Sequence, residues 1–247
     1  GGPYIASIGC RAPPAPLTPT FTNDFEGTVK PRYIFIIAAV SVVLSMAVLF
    51  GIVSTQGGRG GEAQAAPTVA NAALARGHAP TIGNPDAKVH IVEFLDPACE
   101  TCREFYPFVK KLMAANPDRI RLSIRHVTFH KGSDSIVRML EAARKQGKYW
   151  EALEALLASQ PNWAIQHVSR PELALPKLAA IGLNLDRLKA DMEAPDVARN
   201  MTLDAEDAKA LKVKQTPEYF VNGKSMPSFG YDQLQKLVSD AVAAAYR

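Results

Sequence analysis

Two cysteines separated by two residues are the strongest candidates for chemistry in this chain. Cys99 and Cys102 lie in the stretch FLDPACETCREFYP, after an apolar run and at the expected start of a helix. The nucleophilic form of a cysteine is its thiolate, which a helix N-terminus stabilises through free backbone N–H groups and the helix dipole. Cys102 lies one helical turn further on and can close a disulfide with Cys99. The pair could therefore carry electrons by thiol–disulfide exchange.

Other chemical uses of the same pair remain open. A structural disulfide between residues so close in sequence would constrain little of the unfolded chain. A structural zinc site requires about four protein ligands, and the sequence has no second C-x-x-C to complete one. Cu(I) accepts two thiolates, so a copper-binding pair is an alternative. The third cysteine, Cys10, lies in the N-terminal tail and is interpreted as an ordinary thiol.

The composition narrows the class of protein. The 247 residues are 47% hydrophobic and 21% charged, with a mild net charge of +4. This length is enough for a sizeable apolar core, and three cysteines are too few for a disulfide-built miniature fold. The basic residues are scattered through expected helices that also carry Asp and Glu, which disfavours nucleic-acid binding.

The apolar segment YIFIIAAVSVVLSMAVLFGIV predicts a single transmembrane helix over residues 33–53. It is uncharged and long enough for a hydrocarbon core of roughly 30 Å. Lys30 and Arg32 precede it, whereas the nearest cation after it is Arg59, so the flexible tail 1–32 is expected in the cytoplasm and the remainder across the membrane. Ala63-Gln64-Ala65 would suit a signal peptidase, but the apolar run is longer than a signal-peptide core. A Gly- and Ala-rich stretch, residues 54–79, is predicted to be a flexible tether.

The remaining residues, 80–247, are expected to form one folded domain. The run AKVHIVEFLD (87–96) predicts a strand buried on both faces, and a helix should start near Cys99. RIRLSIRHVTF (119–129) predicts a second strand, which completes a β-α-β unit. Residues 133–212 have helical periodicity throughout and are interpreted as an inserted helical subdomain. TPEYFVNGKSMP (216–227) then predicts a hairpin turning at Asn-Gly, followed by a closing helix at about 231–245.

This arrangement resembles the DsbA-like thiol–disulfide oxidoreductases of the thioredoxin superfamily over roughly residues 80–247. The resemblance rests on C-x-x-C at a helix start combined with TPEYFVNG after a helical insertion. It implies an α/β thioredoxin fold with an inserted helical subdomain, preceded here by a single transmembrane helix. It also implies that Cys99 is the exposed attacking cysteine and Cys102 the resolving one. Thr216 and Pro217 would form a cis-proline loop that binds the substrate backbone.

Two glutamates qualify this picture. Glu93 lies within the apolar strand, where members of the family place a buried acid, and proton transfer with Cys102 is the implied role. The alternative is that Glu93 points to the sheet edge. Strongly oxidising members have Pro-His between the cysteines, but this chain has Glu100-Thr101. A carboxylate beside Cys99 should raise the pKa of its thiol and make the couple less oxidising, so the direction of electron flow is left open.

The expected function is a membrane-anchored thiol–disulfide oxidoreductase of exported proteins. The catalytic domain should face the periplasm from a bacterial inner (plasma) membrane. Exchange between cysteines requires no cofactor and no metal, but a redox partner in the membrane should reset the pair. Two alternatives remain: an anchored Cu(I) chaperone that uses Cys99 and Cys102, and a scaffold that binds unfolded exported chains without using the cysteines.

Overall fold

The computed structural model describes residues 69–166 and 168–247, although not the side chains of residues 69–71. The predicted tail 1–32, the predicted transmembrane helix 33–53 and most of the predicted tether lie outside this part of the chain. Among the described residues, no helix is both long and apolar enough to cross a membrane.

The described part of the chain contains both helices and strands. In chain order these elements are α1 (Val69–Leu74), β1 (Thr81–Gly83), β2 (Val89–Leu95), α2 (Glu100–Ala114), β3 (Ile120–His126), α3 (Ser133–Lys145), α4 (Tyr149–Ala158), α5 (Gln160–Trp163), β4 (Ala164–Ile165), β5 (Val168–Ser169), α6 (Pro171–Ala180), α7 (Leu185–Met192), α8 (Pro195–Ala210), β6 (Glu218–Val221), β7 (Lys224–Ser225) and α9 (Tyr231–Ala245). Five strands form the main sheet, in the order β1-β3-β2-β6-β7.

The centre of the sheet is the predicted β-α-β unit. Strands β2 and β3 pair in parallel from Val89 opposite Ile120 to Leu95 opposite His126, and α2 connects them. Strand β6 pairs antiparallel with the other side of β2 and turns into β7 through Asn222 and Gly223. Both turn residues have positive φ, 48° and 81°, as a two-residue hairpin of the I′ type requires.

Side chains from β2 enter two different cores because successive residues point to opposite faces of a sheet. Val89, Ile91 and Leu95 lie in the larger core with α2, α9 and the helical block. Val92 and Phe94 lie in a smaller core, which Leu74 of α1 and Ala208 of α8 complete. Strand β2 is therefore buried on both faces, as its apolar run indicates.

The helical block between β3 and β6 runs from α3 to α8. Its centre includes the fully buried Leu140, Leu153 and Trp163. The expectation that residues 133–212 are wholly helical is wrong at β4 and β5, which form a short antiparallel pair. These strands have two residues each, too few for a period-2 pattern to be recognised.

Residues 69–79 are folded, so the predicted tether 54–79 extends too far. Helix α1 places the buried residues Ala73 and Leu74 beside the sheet. Arg76 then pairs with Asp207 at 2.7 Å, and His78 pairs with Asp204 at 2.7 Å. The stretch shows no apolar stripe because much of what holds it is ion pairing with α8, more than 120 residues away in sequence.

Candidate active site

The two cysteines lie where the β2–α2 loop turns into helix α2. Cys99 is the N-cap residue, with extended backbone angles (φ −76°, ψ 121°), and its Sγ accepts a hydrogen bond from the Cys102 N–H at 3.4 Å. Both are free thiols in this structure. Cys99 was expected to be exposed, but only 5% of its surface is accessible, and Cys102 has none. Of the two sulfurs, a substrate can therefore approach Cys99 more directly.

The loop before β6 lies against Cys99. The Thr216–Pro217 peptide bond is cis, and the Cys99 thiol donates a hydrogen bond to the Thr216 carbonyl oxygen at 3.3 Å. These residues are 117 positions apart in the sequence. The tertiary structure thus brings together Cys99, Cys102, Thr216 and Pro217, four of the five predicted site residues.

The two thiols have opposite proton affinities. Hydrogen bonds from the Cys102 side chain, the Thr216 side chain and the backbone N–H groups of Cys102 and Thr101 lower the pKa of the Cys99 thiol to about 6, although burial opposes them. Burial, the hydrogen bond to Cys99 and the charges of Cys99 and Glu93 raise the pKa of Cys102 well above its ordinary value. Cys99 is the thiolate at neutral pH, and Cys102 keeps its proton.

The pKa of Cys99 is therefore lowered, not raised as was expected from the neighbouring Glu100, and Glu100 is not among the groups that determine it. The Glu100 side chain is exposed, where solvent screens its charge. The hydrogen bonds to the Cys99 sulfur act at short range in a buried site, so they determine the pKa of the thiol.

Glu93, the fifth predicted site residue, is fully buried in the central strand β2 rather than at a sheet edge. It lies opposite Tyr219 in the β2–β6 register. Among the described residues, the two carboxylate oxygens of Glu93 have no hydrogen-bonding partner. The same is true of the Tyr219 hydroxyl. Burial raises the pKa of Glu93 to about 8, with the Tyr219 hydroxyl acting in the opposite direction. The carboxyl group can therefore exchange a proton near neutral pH.

Two residues that the sequence analysis did not select hold the β2–α2 loop. Asp96 is fully buried and accepts hydrogen bonds from the Ala98 N–H at 2.9 Å and from the Phe129 and His130 N–H groups at 2.7 and 2.9 Å. Gln160 donates to the Pro97 and Cys99 carbonyl oxygens at 2.8 and 2.9 Å. Asp96 could have been recognised as the Asp of an Asp-Pro turn. Gln160 belongs to the helical block and carries no local signal.

Metal binding is not favoured by this geometry. No group of three or more His, Cys, Asp or Glu residues suited to a metal ion occurs within residues 69–166 and 168–247. His126 contacts the Tyr149 hydroxyl at 2.8 Å, and His130 contacts Asp96 at 2.9 Å. A Cu(I) site would need both cysteines as thiolates, but burial raises the pKa of Cys102 and opposes its deprotonation.

A cysteine pair at the start of the helix between two parallel strands, with a cis-proline loop against it, defines a thioredoxin-type site. The chain belongs to the thioredoxin family, since a family model described as thioredoxin matches residues 76–240. The structure of a thioredoxin-like oxidoreductase from Silicibacter pomeroyi DSS-3 is 33% identical, covers 69% of this chain and 95% of that one, and has a TM-score of 0.61. Alpha-DsbA1 of Wolbachia pipientis, 16% identical, shares the fold with a TM-score of 0.62 over 72% of this chain and 98% of that one.

The curated relatives include two kinds of protein. Disulfide bond formation protein D of Bacillus subtilis is 26% identical over 167 residues, which are 64% of this chain and 75% of that protein. The Na(+)/H(+) antiporter NhaA of Herminiimonas arsenicoxydans is 29% identical over 144 residues, 58% of this chain. The chain spans only 22% of that antiporter's length, so the similarity concerns one part of a longer protein.

Proposed function

We propose that this chain catalyses thiol–disulfide exchange on exported protein substrates, with Cys99 as the attacking and Cys102 as the resolving cysteine. The observation that carries the proposal is the position of the Cys99 sulfur, between the N–H of Cys102 and the carbonyl of Thr216 next to the cis peptide bond. The backbone N–H groups of Cys102 and Thr101 stabilise the sulfur as a thiolate, and the Thr216 carbonyl beside it is a backbone group that can pair with an extended substrate.

The reaction proceeds in two exchanges when a substrate is oxidised. A substrate thiolate attacks the Cys99 sulfur of the closed Cys99–Cys102 disulfide, the S–S bond breaks, and Cys102 leaves as a thiolate. A second substrate thiolate then attacks the substrate sulfur of the mixed disulfide, and Cys99 leaves. The substrate gains a disulfide, and its two electrons remain on the cysteine pair.

Glu93 supplies the proton for the buried sulfur. When Cys102 leaves, a thiolate forms in a fully buried position, where a charge is costly. Glu93, with a pKa of about 8, can protonate that thiolate and take the proton back in the reverse step. Within the described residues no hydrogen-bonding partner fixes Glu93 as a paired carboxylate, which is consistent with a role in proton transfer rather than in structure.

The proton affinity of Cys99 favours oxidation as the direction. Hydrogen bonds that lower the pKa of Cys99 to about 6 stabilise the reduced pair relative to the disulfide. A couple whose reduced form is stabilised is the more strongly oxidising one. We expect a reduction potential of about −200 mV or higher against a glutathione buffer, whereas a value near that of thioredoxin, about −270 mV, would reverse the direction.

The cellular setting is part of the proposal. Residues 33–53 anchor the domain in a bacterial inner membrane, with the tail 1–32 in the cytoplasm and the catalytic domain in the periplasm. Because electrons stay on the cysteine pair, the cycle requires no bound cofactor. It requires a partner, in our proposal a membrane redox protein, that accepts the two electrons and restores the disulfide.

Cysteine variants of the full chain test the mechanism. Cys99→Ser should abolish turnover in the oxidation of a reduced, unfolded substrate protein, because no mixed disulfide can form. Cys102→Ser should also be inactive, but its free Cys99 thiolate should attack the disulfide of an oxidised substrate protein, one substrate sulfur leaving as a thiolate, and accumulate a mixed disulfide that non-reducing electrophoresis detects and a reductant removes. Undiminished turnover of Cys99→Ser, or adducts of equal yield in the two variants, would contradict these assignments.

A further inference from the structure

A cleft at the opposite end of the sheet from the cysteines contains an arginine, Arg121, whose charge no ion pair within the described residues neutralises. The cleft has a volume of about 540 Å³ and lies between residues 74–79, β1 and the first halves of β2 and β3. Arg121, His90, Ser123 and Thr81 provide its polar wall, and we call it the Arg121 cleft. This volume lies within the range of small-molecule sites, about 300–1,000 Å³.

Arg121 differs from the other arginine on the same strand face. Arg125, four residues along β3, is fully buried and pairs with Asp204 at 2.6 Å and Asp207 at 2.7 Å. Within the described residues, Arg121 has no ion pair and makes one long hydrogen bond, at 3.5 Å, to the Pro85 carbonyl oxygen. Its Nε is buried without a partner. An unsatisfied guanidinium N–H group is costly to bury, so a ligand that accepts from it would be stabilised.

The residues around Arg121 add no negative charge. No Asp or Glu is among the described residues that line the cleft. The charge of Arg76, which also lines it, is taken up by Asp207 through bonds of 2.7 and 2.8 Å. Burial and the charge of Arg121 lower the pKa of His90 to about 4. The cleft is therefore cationic through Arg121.

A small polar cluster fixes the wall beside Arg121. The Ser123 hydroxyl contacts Thr81 Oγ1 at 2.6 Å and His90 Nε2 at 2.8 Å. His90 is opposite Arg121 in the parallel β2–β3 register, so imidazole and guanidinium are neighbours. This cluster holds His90 in place, and His90 can gain a proton if a negative charge enters the cleft.

We propose that the Arg121 cleft binds the oxyanion group, phosphate or carboxylate, of a small molecule, with Arg121 as its principal ligand. A guanidinium binds both oxyanions through paired N–H donors, and the buried Nε supplies one of them. The site is independent of the cysteine chemistry, because His90 and Leu95 at the two ends of β2 are about 17 Å apart at roughly 3.3 Å per residue.

Nuclear magnetic resonance of the full chain tests the site directly. Inorganic phosphate and acetate are titrated separately at pH 7, with chloride at matched ionic strength as the reference. At least one anion should shift the Arg121 Nε–H resonance saturably. The same anion should raise the pKa of His90 by about one unit or more. The anion that saturates identifies phosphate or carboxylate as the ligand chemistry.

Three variants make the test specific. Arg121→Gln should abolish the anion-induced change at His90, and Arg121→Lys, which keeps the charge but loses Nε, should weaken binding about tenfold or more. Arg119→Gln removes an equal charge from an exposed position two residues away and should leave binding unchanged. The proposal is overturned if neither anion saturates, or if Arg121→Gln and the unmodified chain respond equally. Circular dichroism confirms that each variant is folded.

Discussion

Buried carboxyl groups lie on both faces of the central sheet, in opposite electrostatic states. Glu93 faces the larger core without a hydrogen-bonding partner among the described residues, and burial raises its pKa to about 8. Asp204 and Asp207 lie on α8 against the other face. Burial alone would raise the pKa of Asp204, but the hydrogen bond from His78 and the charge of Arg125 outweigh it and lower that pKa.

The difference shows that burial by itself does not determine what a carboxyl group does. Asp207, like Asp204, has its pKa lowered against burial, by hydrogen bonds from Arg76 and Arg125. Such a carboxylate keeps its charge and stabilises the fold, here by joining the segment after α1 and strand β3 to helix α8. A buried carboxyl group without such donors, like that of Glu93, can change its charge near neutral pH and can take part in proton transfer.

The largest expected effect on stability comes from removing Arg125, the buried cation that pairs with Asp204 and Asp207; we call these three residues the paired site. Arg125→Met should lower the free energy of unfolding by about 3–5 kcal/mol, because Asp204 and Asp207 lose the fully buried cation that they share and keep only His78 and Arg76. Urea unfolding measures this loss. Arg121→Met, the same change on the same strand face, is the control and should cost less than about 1 kcal/mol. Equal losses in the two variants would remove the distinction between a paired and an unpaired arginine.

The carboxyl group of Glu93 should make the stability of the protein depend on pH. Since the pKa of Glu93 is higher in the folded state, its protonated form stabilises the fold below pH 4.5, and this contribution is lost as pH rises towards 8. The contribution of Glu93 to the free energy of unfolding should therefore fall by about 3 kcal/mol between pH 5 and pH 8, whereas His90, whose pKa is lowered to about 4, makes a contribution that rises over the same range.

Glu93→Gln should remove the Glu93 contribution, because its amide does not titrate, so the stability of the parent protein relative to Glu93→Gln should fall by about 3 kcal/mol from pH 5 to pH 8. Both proteins should carry Cys99→Ser and Cys102→Ser, so that the thiols do not contribute to the slope. Denaturant unfolding across this pH range gives the comparison. If the difference in the free energy of unfolding between the two proteins does not change with pH, Glu93 does not have the raised pKa.

The smallest effect is expected at the outer part of the paired site. Arg76→Gln should destabilise the protein by about 1 kcal/mol or less, because the Arg76 side chain is 37% exposed and solvent weakens its ion pair. Hydrogen exchange should become faster in residues 72–79 and remain unchanged in β2. Uniformly faster exchange would instead show that residues 69–79 unfold together with the whole domain.

The local elements were largely predictable, because their signals lie within a few residues. The run at 87–96 indicated a doubly buried strand, the spacing after Cys99 a helix, and Asn222-Gly223 a tight hairpin, and the structure contains all three. Folding of residues 69–79 was missed, since their partners are on α8. Gln160 was missed for the same reason, because its contacts with Pro97 and Cys99 arise only when the helical block packs on the sheet.

The sequence by itself determined which residues could do chemistry: two cysteines at helical spacing, an acid within an apolar strand, and a Thr-Pro pair before a hairpin. Only the tertiary structure decided their proton affinities. It brought the Thr216 carbonyl to 3.3 Å from Cys99, left Glu93 without a hydrogen-bonding partner in the part of the chain that the structure describes, and gave Asp204 and Asp207 theirs. The reason is that a pKa depends on burial and on hydrogen bonds of about 3 Å, and residues over a hundred positions apart meet at such distances only after the chain has folded.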